Sequence, residues 1–300
     1  MIIDIIVPVY NEEESIHLFW TTAQKYLYHT EGVNYRILFV NDGSSDKTLE
    51  RIKDLTRNHE EIGYISFTRN YGKEAAMLAG LKASKGDYTM FMDVDLQDPP
   101  ELIPKLYKEL VSKNCEAVFT RRIPRKQNIT FGERCASVFY NITKTPKGLR
   151  DYCIFSKEVR NNVLSMTESQ RFTRFLLLYV TPSSSPVISF EYKEREKGET
   201  KWNLFKLTNY AFNGILCKCP EDILDYNSLF IGYLSIFYIC SLFLRFLKHF
   251  IDFAFSAYLL IAITLILHYL YTIHINTRKR PAYFIHEVGG WVDEEEYKVQ

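Results

Sequence analysis

The chain has 300 residues, with 37 Lys and Arg against 36 Asp and Glu, a formal net charge of +1. That balance excludes the strongly basic surface of a nucleic-acid binder. The six cysteines show no Cys-x-x-Cys spacing, and Cys217 and Cys219 lie one residue apart, which is poor zinc geometry, so a reduced cytoplasmic state is the default.

Strand and helix alternate from the first residues. Ile2–Val9 is a short apolar run, as are 36–40, Ile62–Phe67, 88–92 and 117–120. Between them, 12–28, 47–58, 72–83 and 101–111 carry apolar residues at helical spacing, for example Leu102, Leu106 and Leu110. Repeated strand–helix units predict an α/β fold with a mostly parallel sheet and helices on both faces. Ligands of such sheets bind beyond the carboxyl ends of the strands. The polar signals lie there: Tyr10-Asn11-Glu12 after the first strand, Asn41-Asp42-Gly43-Ser44-Ser45-Asp46 after the second, Arg69-Asn70-Tyr71-Gly72-Lys73 after the third, and Asp93-Val94-Asp95 after the fourth.

The pair Asp93 and Asp95 closes an apolar run, where buried charge is costly unless neutralised. Hard carboxylate oxygens suit Mg²⁺ or Mn²⁺, which bind through one or two carboxylates plus substrate phosphates. Other polar residues have local explanations. Asn11 with Glu14 reads as a capping box, Ser45 or Asp46 can cap the next helix, and Gly43 can supply a turn. Asp98-Pro99-Pro100-Glu101 reads as a helix start, with Asp98 as its N-cap. Asp42, Arg69, Lys73, Asp93 and Asp95 have no such capping role, and their convergence on one sheet edge favours a site.

Val7-Pro8-Val9-Tyr10-Asn11-Glu12, Val40-Asn41-Asp42-Gly43-Ser44-Ser45-Asp46 and Arg69-Asn70-Tyr71-Gly72-Lys73-Glu74-Ala75-Ala76 resemble family 2 glycosyltransferases of the GT-A fold. Asp93-Val94-Asp95-Leu96-Gln97-Asp98-Pro99-Pro100 and Arg195-Glu196-Lys197-Gly198-Glu199-Thr200-Lys201-Trp202 resemble, more narrowly, the polyprenyl-phosphate glycosyltransferases: undecaprenyl-phosphate glucosyltransferases and dolichyl-phosphate mannose synthases. The resemblance implies transfer of a sugar from a nucleotide diphosphate to a lipid phosphate at the membrane. It implies that Pro8, Tyr10, Glu12 and Asp42 frame the nucleoside. Asp93, Asp95 and Gln97 would hold a divalent metal, Mg or Mn, and through it the diphosphate. Arg69 and Lys73 would be further diphosphate contacts, and Arg195 and Lys201 would meet the phosphates or the acceptor. Gly148-Leu149-Arg150-Asp151-Tyr152-Cys153-Ile154 matches at Asp151, a substrate-side position, but has Cys153 where relatives tend to have arginine.

The C-terminal third carries a membrane signal of its own. Residues 226–244 contain no Asp, Glu, Lys or Arg, and neither do 253–276. Each run is long enough to cross a hydrocarbon core of roughly 30 Å. Mean hydropathy is near zero because this hairpin is averaged with a polar domain. The flanks carry Lys197, Lys201, Lys206 and Lys218 on one side and Arg278, Lys279 and Arg280 on the other, which favours the cytoplasm for both. No signal-peptide pattern opens the chain. Residues 171–179 and 203–216 mix aromatic and basic residues, fit either to pack on the catalytic domain or to lie in the interface. Expected segments are therefore a nucleotide-sugar core (1–127), an acceptor-side and juxtamembrane segment (128–225), a two-helix transmembrane hairpin (226–276) and a cytoplasmic tail (277–300), whose 293–296 acidic run reads as a solvated end.

Expected partners are a nucleotide sugar, polyprenyl phosphate and the lipid bilayer, with no nucleic acid, and a homo-oligomer is compatible with the sequence. A lipid monophosphate is already anionic and needs no general base, so the expected reaction is a metal-assisted inverting displacement at the anomeric carbon. Two alternatives differ from this reading in their sequence signatures. A processive polysaccharide synthase carries Gln-x-x-Arg-Trp and more spans; here Trp20, Trp202 and Trp291 are not preceded by Arg. A non-catalytic nucleotide-sugar-binding scaffold is favoured by loss of the paired Asp, and both are present.

Overall fold

The computed structural model describes residues 1–27, 32–123, 146–167, 171–191, 233, 235, 248–277 and 280–297. β1 (Ile2–Val9) leads to α1 (Ser15–Leu27), β2 (Asn34–Asn41) to α2 (Thr48–Asn58) and β3 (Ile62–Phe67) to α3 (Lys73–Ala83). β4 (Tyr88–Phe91) passes through a 3-10 turn (Pro100–Leu102) into α4 (Ile103–Ser112), and β5 (Ala117–Ile123) follows. Then come β6 (Leu149–Ser156), α5 (Lys157–Ser165), α6 (Thr173–Val180), β7 (Val187–Glu191), the long α7 (Lys248–Thr277) and β8 (Ile285–Gly289).

The eight strands form one sheet in the order β7-β5-β6-β4-β1-β2-β3-β8. Its centre, β4-β1-β2-β3, is parallel, as the alternation predicts. β6 runs antiparallel between β4 and β5, and β8 runs antiparallel on β3. Strand periodicity sends β1 side chains to opposite faces. Ile3, Ile5 and Val7 join the core under Phe19, Trp20, Ile52 and Leu106, while Ile6 joins the core under Ala76, Leu81 and Leu177. Both faces are therefore covered, as a parallel sheet requires. Asp4 is buried yet satisfied: it pairs with Arg36 at 2.8 Å and accepts from Ser84 Oγ and the amides of Lys85 and Gly86.

α3 decides where the polar loop ahead of it sits. Ala75, Ala76, Ala79 and Gly80 are small, so the helix lies close on the sheet. A Cβ at Gly80 would come within 2.3 Å of Ile6 Cγ2. Lys73, in the first turn of this helix, is thereby held over the carboxyl ends of the central strands.

α7 is 30 residues long, about 45 Å at helical rise. Its stretch Asp252–Tyr271 is long and apolar enough to cross a membrane. Phe253, Leu260 and Leu267 are 74%, 67% and 60% exposed, so its apolar surface faces outward rather than into the sheet domain. The other predicted span, 226–244, lies outside the described residues apart from 233 and 235.

β8 has no counterpart among the expected elements. The chain returns after α7 and adds a strand to the open edge of β3, pairing Tyr64 with Gly289 and Ser66 with Glu287. Lys53 binds Glu287, and Trp291 donates its indole N–H to the carbonyls of Ile37 and Glu61 while Arg36 stacks on its ring. Asp293 and Glu294 are exposed, as expected of a charged end, but the residues before them are docked. Covering an edge strand removes a template for wrong pairing. Gly290 makes the return possible: its φ is +71°, and a Cβ there would lie 2.2 Å from the Ile62 carbonyl oxygen. Gly290→Ala is expected to cost about 2 kcal/mol or more through left-handed strain and this clash. Denaturant unfolding measures it; a change below about 0.5 kcal/mol would show that the tail does not depend on this close approach.

Candidate active site

The carboxyl ends of β1, β2, β3 and β4 and the start of β6 meet at one sheet edge. At the end of β2, Asp42 is 3% exposed and accepts the amides of Tyr71 at 2.6 Å and Gly72 at 2.9 Å. Burial pushes its carboxyl up to about 6, against the lowering effect of those two amides. Gly43 has φ +65°, and a Cβ there would meet the Arg69 backbone at 2.2 Å, so only glycine lets the two loops lie together. Asn11, at φ +51°, accepts the Ser45 amide at 2.7 Å through Oδ1. It ties the first loop to the second and does not form a capping box with Glu14. Glu12 instead accepts Ser15 Oγ at the start of α1, and Asp46 accepts the Thr48 amide at the start of α2.

A ladder of opposite charges runs across the edge. Lys73 Nζ lies 2.7 Å from Asp93 and 3.1 Å from Asp151. Arg150 lies 3.6 Å from Asp93 and 3.4 Å from Asp98, and Arg174 binds Asp151 at 2.7 Å. Desolvation works against the Lys73 ammonium, but Asp93 and Asp151 outweigh it and hold it charged well above the ordinary lysine range. Desolvation likewise opposes the Asp151 carboxylate, yet Arg174, Lys73 and Arg150 keep it well below the usual carboxylate range. Glu74, next to Lys73, accepts the amide and hydroxyl of Thr173 and so fixes the start of α6, which carries Arg174.

Of the residues singled out in the sequence, Lys73, Asp93 and Asp151 are thus in direct contact, and Asp42 holds the loop that carries Lys73. Asp95 sits in a tight turn: Leu96 has φ +57°, rare for a leucine, and the Gln97 amide donates to Asp95 Oδ1 at 3.2 Å. Arg69 is exposed, its guanidinium 4.9 Å above the Tyr71 ring. Tyr10 is 37% exposed at the end of β1, and Pro8 is half-buried within it. Arg195 and Lys201 lie outside the described residues.

Asp98, like Asn11, departs from its expected capping role. Asp98 does not cap the following helix: Pro99 occupies the N-cap position, with no side-chain cap bond, and the Asp98 carboxylate, 2% exposed, faces Arg150. Burial pushes its carboxyl up to about 6, against the Arg150 guanidinium. Arg150, Arg174 and Glu74 were missed. Arg150 adjoins Asp151 in a quoted motif, but the charged opening of β6 hides the strand that aims it at the edge. Cys153 is buried on β6 between Phe91 and Phe119, and the arginine that meets Asp151 comes from α6 as Arg174.

Among the described residues no three His, Cys, Asp or Glu side chains converge into a ready metal cage. The donor set at the β4 end nevertheless suits Mg²⁺ or Mn²⁺, which take one or two carboxylates and complete their shell with phosphate oxygens and water. Asp93 and Asp95, both partly exposed, supply such oxygens.

Residues 4–165 match the model for glycosyl transferase family 2. The chain is 34% identical to the bactoprenol glucosyl transferase of Shigella phage SfX, over 79% of this chain and 80% of that protein. It is 30% identical to the uncharacterized glycosyltransferase sll0501 of Synechocystis sp., over 96% of each. Its fold is similar to that of glucosyl-3-phosphoglycerate synthase from Mycobacterium tuberculosis in complex with Mn²⁺, UDP-glucose and phosphoglyceric acid, with a TM-score of 0.50, 18% identity and coverage of 73% and 79% of the two chains.

The Asp42 contacts generate a prediction that needs no ligand. Above a pH of about 6 the carboxylate accepts both loop amides; below it the protonated group accepts more weakly. The Tyr71 and Gly72 amide resonances are expected to move upfield together as the pH falls through about 6, and Asp42→Asn to abolish the titration. Amide shifts that ignore pH in this window would contradict the assigned contacts.

Proposed function

The chain belongs to glycosyl transferase family 2 and is a glycosyltransferase, and we propose that it moves glucose or N-acetylglucosamine from a uridine diphosphate donor to polyprenyl (undecaprenyl) phosphate, supplying lipid-linked sugar for cell-envelope glycan modification. The likeness to a bactoprenol glucosyl transferase supports the acceptor class.

The charge balance of the ladder supports the donor site most directly. Lys73, Arg150 and Arg174 are matched by Asp93, Asp98 and Asp151, three cations to three carboxylates. An arriving diphosphate needs positive charge beyond these. Asp95, with Asp93 and Gln97, would hold a divalent cation, Mg or Mn. When bound, that ion stabilises the negative charge developing on the departing nucleotide diphosphate. Lys73, fixed by Asp151, keeps Asp93 oriented and faces the diphosphate. Arg69 is exposed at the mouth and joins it. Pro8, Tyr10 and Glu12 frame the nucleoside, while Asp42 shapes the loop beside it.

On the acceptor side, Arg195 and Lys201 offset the charge of the lipid phosphate, Arg through a planar fork suited to phosphate oxygens. The phosphate oxygen attacks the anomeric carbon, the bond to the nucleotide diphosphate breaks on the opposite face, and the configuration inverts. The nucleophile is anionic at neutral pH, so no side chain has to take its proton.

The sheet supports a two-span topology. β7 precedes α7 and β8 follows it, yet both belong to one sheet. If α7 crosses the bilayer, the chain between these strands crosses an even number of times. Residues 226–244 are the proposed second crossing. The basic residues Arg278, Lys279 and Arg280 favour a cytoplasmic sheet domain in the cell membrane.

Two outcomes are expected. Asp95→Ala should lower transfer at least about a hundredfold with the fold intact, and excess EDTA should do the same to the wild type; full transfer in either case would remove the metal assignment. Arg195→Ala should cut turnover by about two orders of magnitude, with nucleotide affinity changing less, and Arg195→Lys should recover only part of it. Kinetics with saturating nucleotide sugar check this, and near-wild-type transfer in Arg195→Ala would remove Arg195 from the acceptor site.

A further inference from the structure

The segment that leaves α7 is bonded to the donor side of the site. Residues 278–282 are all that separate Thr277 from Tyr283. Tyr283 is 4% exposed and stacks on Phe67, with ring centroids 4.8 Å apart and planes 13° apart. The Phe284 carbonyl accepts the Thr68 amide at 3.0 Å. The Phe284 ring lies 6.3 Å from Tyr71, whose hydroxyl is 3.1 Å from Thr68 Oγ1 and whose face carries Arg69. The pairing of β3 with β8 shifts register between Ser66 and Phe67, so β8 departs from simple edge pairing just where these contacts begin.

Loop 68–72 is therefore gripped twice. Asp42 holds it from inside the sheet through the amides of Tyr71 and Gly72, and Phe284 holds it from outside at Thr68 and Tyr71, backed by Tyr283 on Phe67 where the loop begins. Without a grip this loop has much to lose on ordering: Gly72 sits at φ +96°, and Thr68, Arg69 and Asn70 are exposed. Ordering it in advance removes that cost from ligand binding.

We infer that Tyr283 and Phe284 are positioning residues for the nucleotide-binding loop, so that donor affinity is set in part by chain lying beyond the membrane helix. The identity of the ligand rests on the glycosyl-transfer reading; the grip itself does not. The plainer role, covering an edge strand, is filled at the other end of β8 by Trp291, which touches Ile37, Glu61 and Arg36 and not loop 68–72.

That difference gives the test, made on the full chain in detergent with UDP as the probe. Phe284→Ala should raise the Kd for UDP and the KM for the sugar donor about five- to tenfold, with kcat within about twofold. It should also speed amide exchange at Tyr71 and Gly72 while the thermal midpoint stays near wild type, and Phe284→Tyr should restore both. Trp291→Ala should lower the midpoint and leave UDP affinity unchanged. Wild-type UDP affinity in Phe284→Ala, or an equal loss in Trp291→Ala, overturns the inference. A wild-type chain that binds no UDP counts against glycosyl transfer instead; exchange at Tyr71 and Gly72 then decides the grip, and unchanged protection in Phe284→Ala overturns it.

Discussion

Lys73 holds two carboxylates within reach of one ammonium group, Asp93 from the loop after β4 at 2.7 Å and Asp151 from β6 at 3.1 Å. Two carboxylates so close to a shared point would repel each other and resist ionisation. The ammonium removes that penalty, and Arg150 and Arg174 extend the alternation to Asp98 and onto α6. The order matters because each cation arrives from a different element: Lys73 from the first turn of α3, Arg150 from the start of β6, Arg174 from α6. Removing one partner leaves a neighbour's charge poorly solvated and unpaired, which is costly even where the intact pair adds little net stability. The ladder therefore specifies how β4, β6, α3 and α6 meet. It leaves the edge balanced rather than positive, which is why the proposed donor site calls for a further cation before it holds a diphosphate.

The sheet also connects the candidate site to α7. The parallel centre points all its carboxyl-end loops one way. β8 returns the chain to this sheet after α7, so the sheet domain is attached to the helix end both covalently and through an edge strand. A domain secured in this way keeps a more constant orientation to a bilayer than one on a single linker. That suits the proposed reaction, in which a water-soluble donor and a lipid-borne acceptor meet at one carbon.

The central strands were legible because Ile2–Val9 and Ile62–Phe67 are apolar runs between helical patterns. The position of the site followed from the fold class, since polar residues after such strands fall on one edge. β6 was not legible: Leu149-Arg150-Asp151 opens it with charge, and its pairing to β4 is antiparallel and distant in sequence. β8 is five residues with Glu287 and His286 within it, and local sequence does not announce an edge strand that forms only by docking on β3. Asp98 was misread because Asp-Pro-Pro-Glu is equally the grammar of a helix cap; the partner that claims it, Arg150, is 52 residues away. Arg174 was missed for the same reason, reaching Asp151 across 23 residues.

The proposed reaction moves one sugar from a nucleotide diphosphate to a polyprenyl phosphate. The direct measurement is product analysis after the full-length protein, reconstituted in lipid with undecaprenyl phosphate and Mg²⁺ or Mn²⁺, is given a panel of radiolabelled nucleotide sugars. Single-sugar transfer predicts a lipid-extractable product bearing one sugar, formed one for one with free nucleoside diphosphate. A water-soluble polymer, or release of nucleoside diphosphate with label only in free sugar, would contradict it.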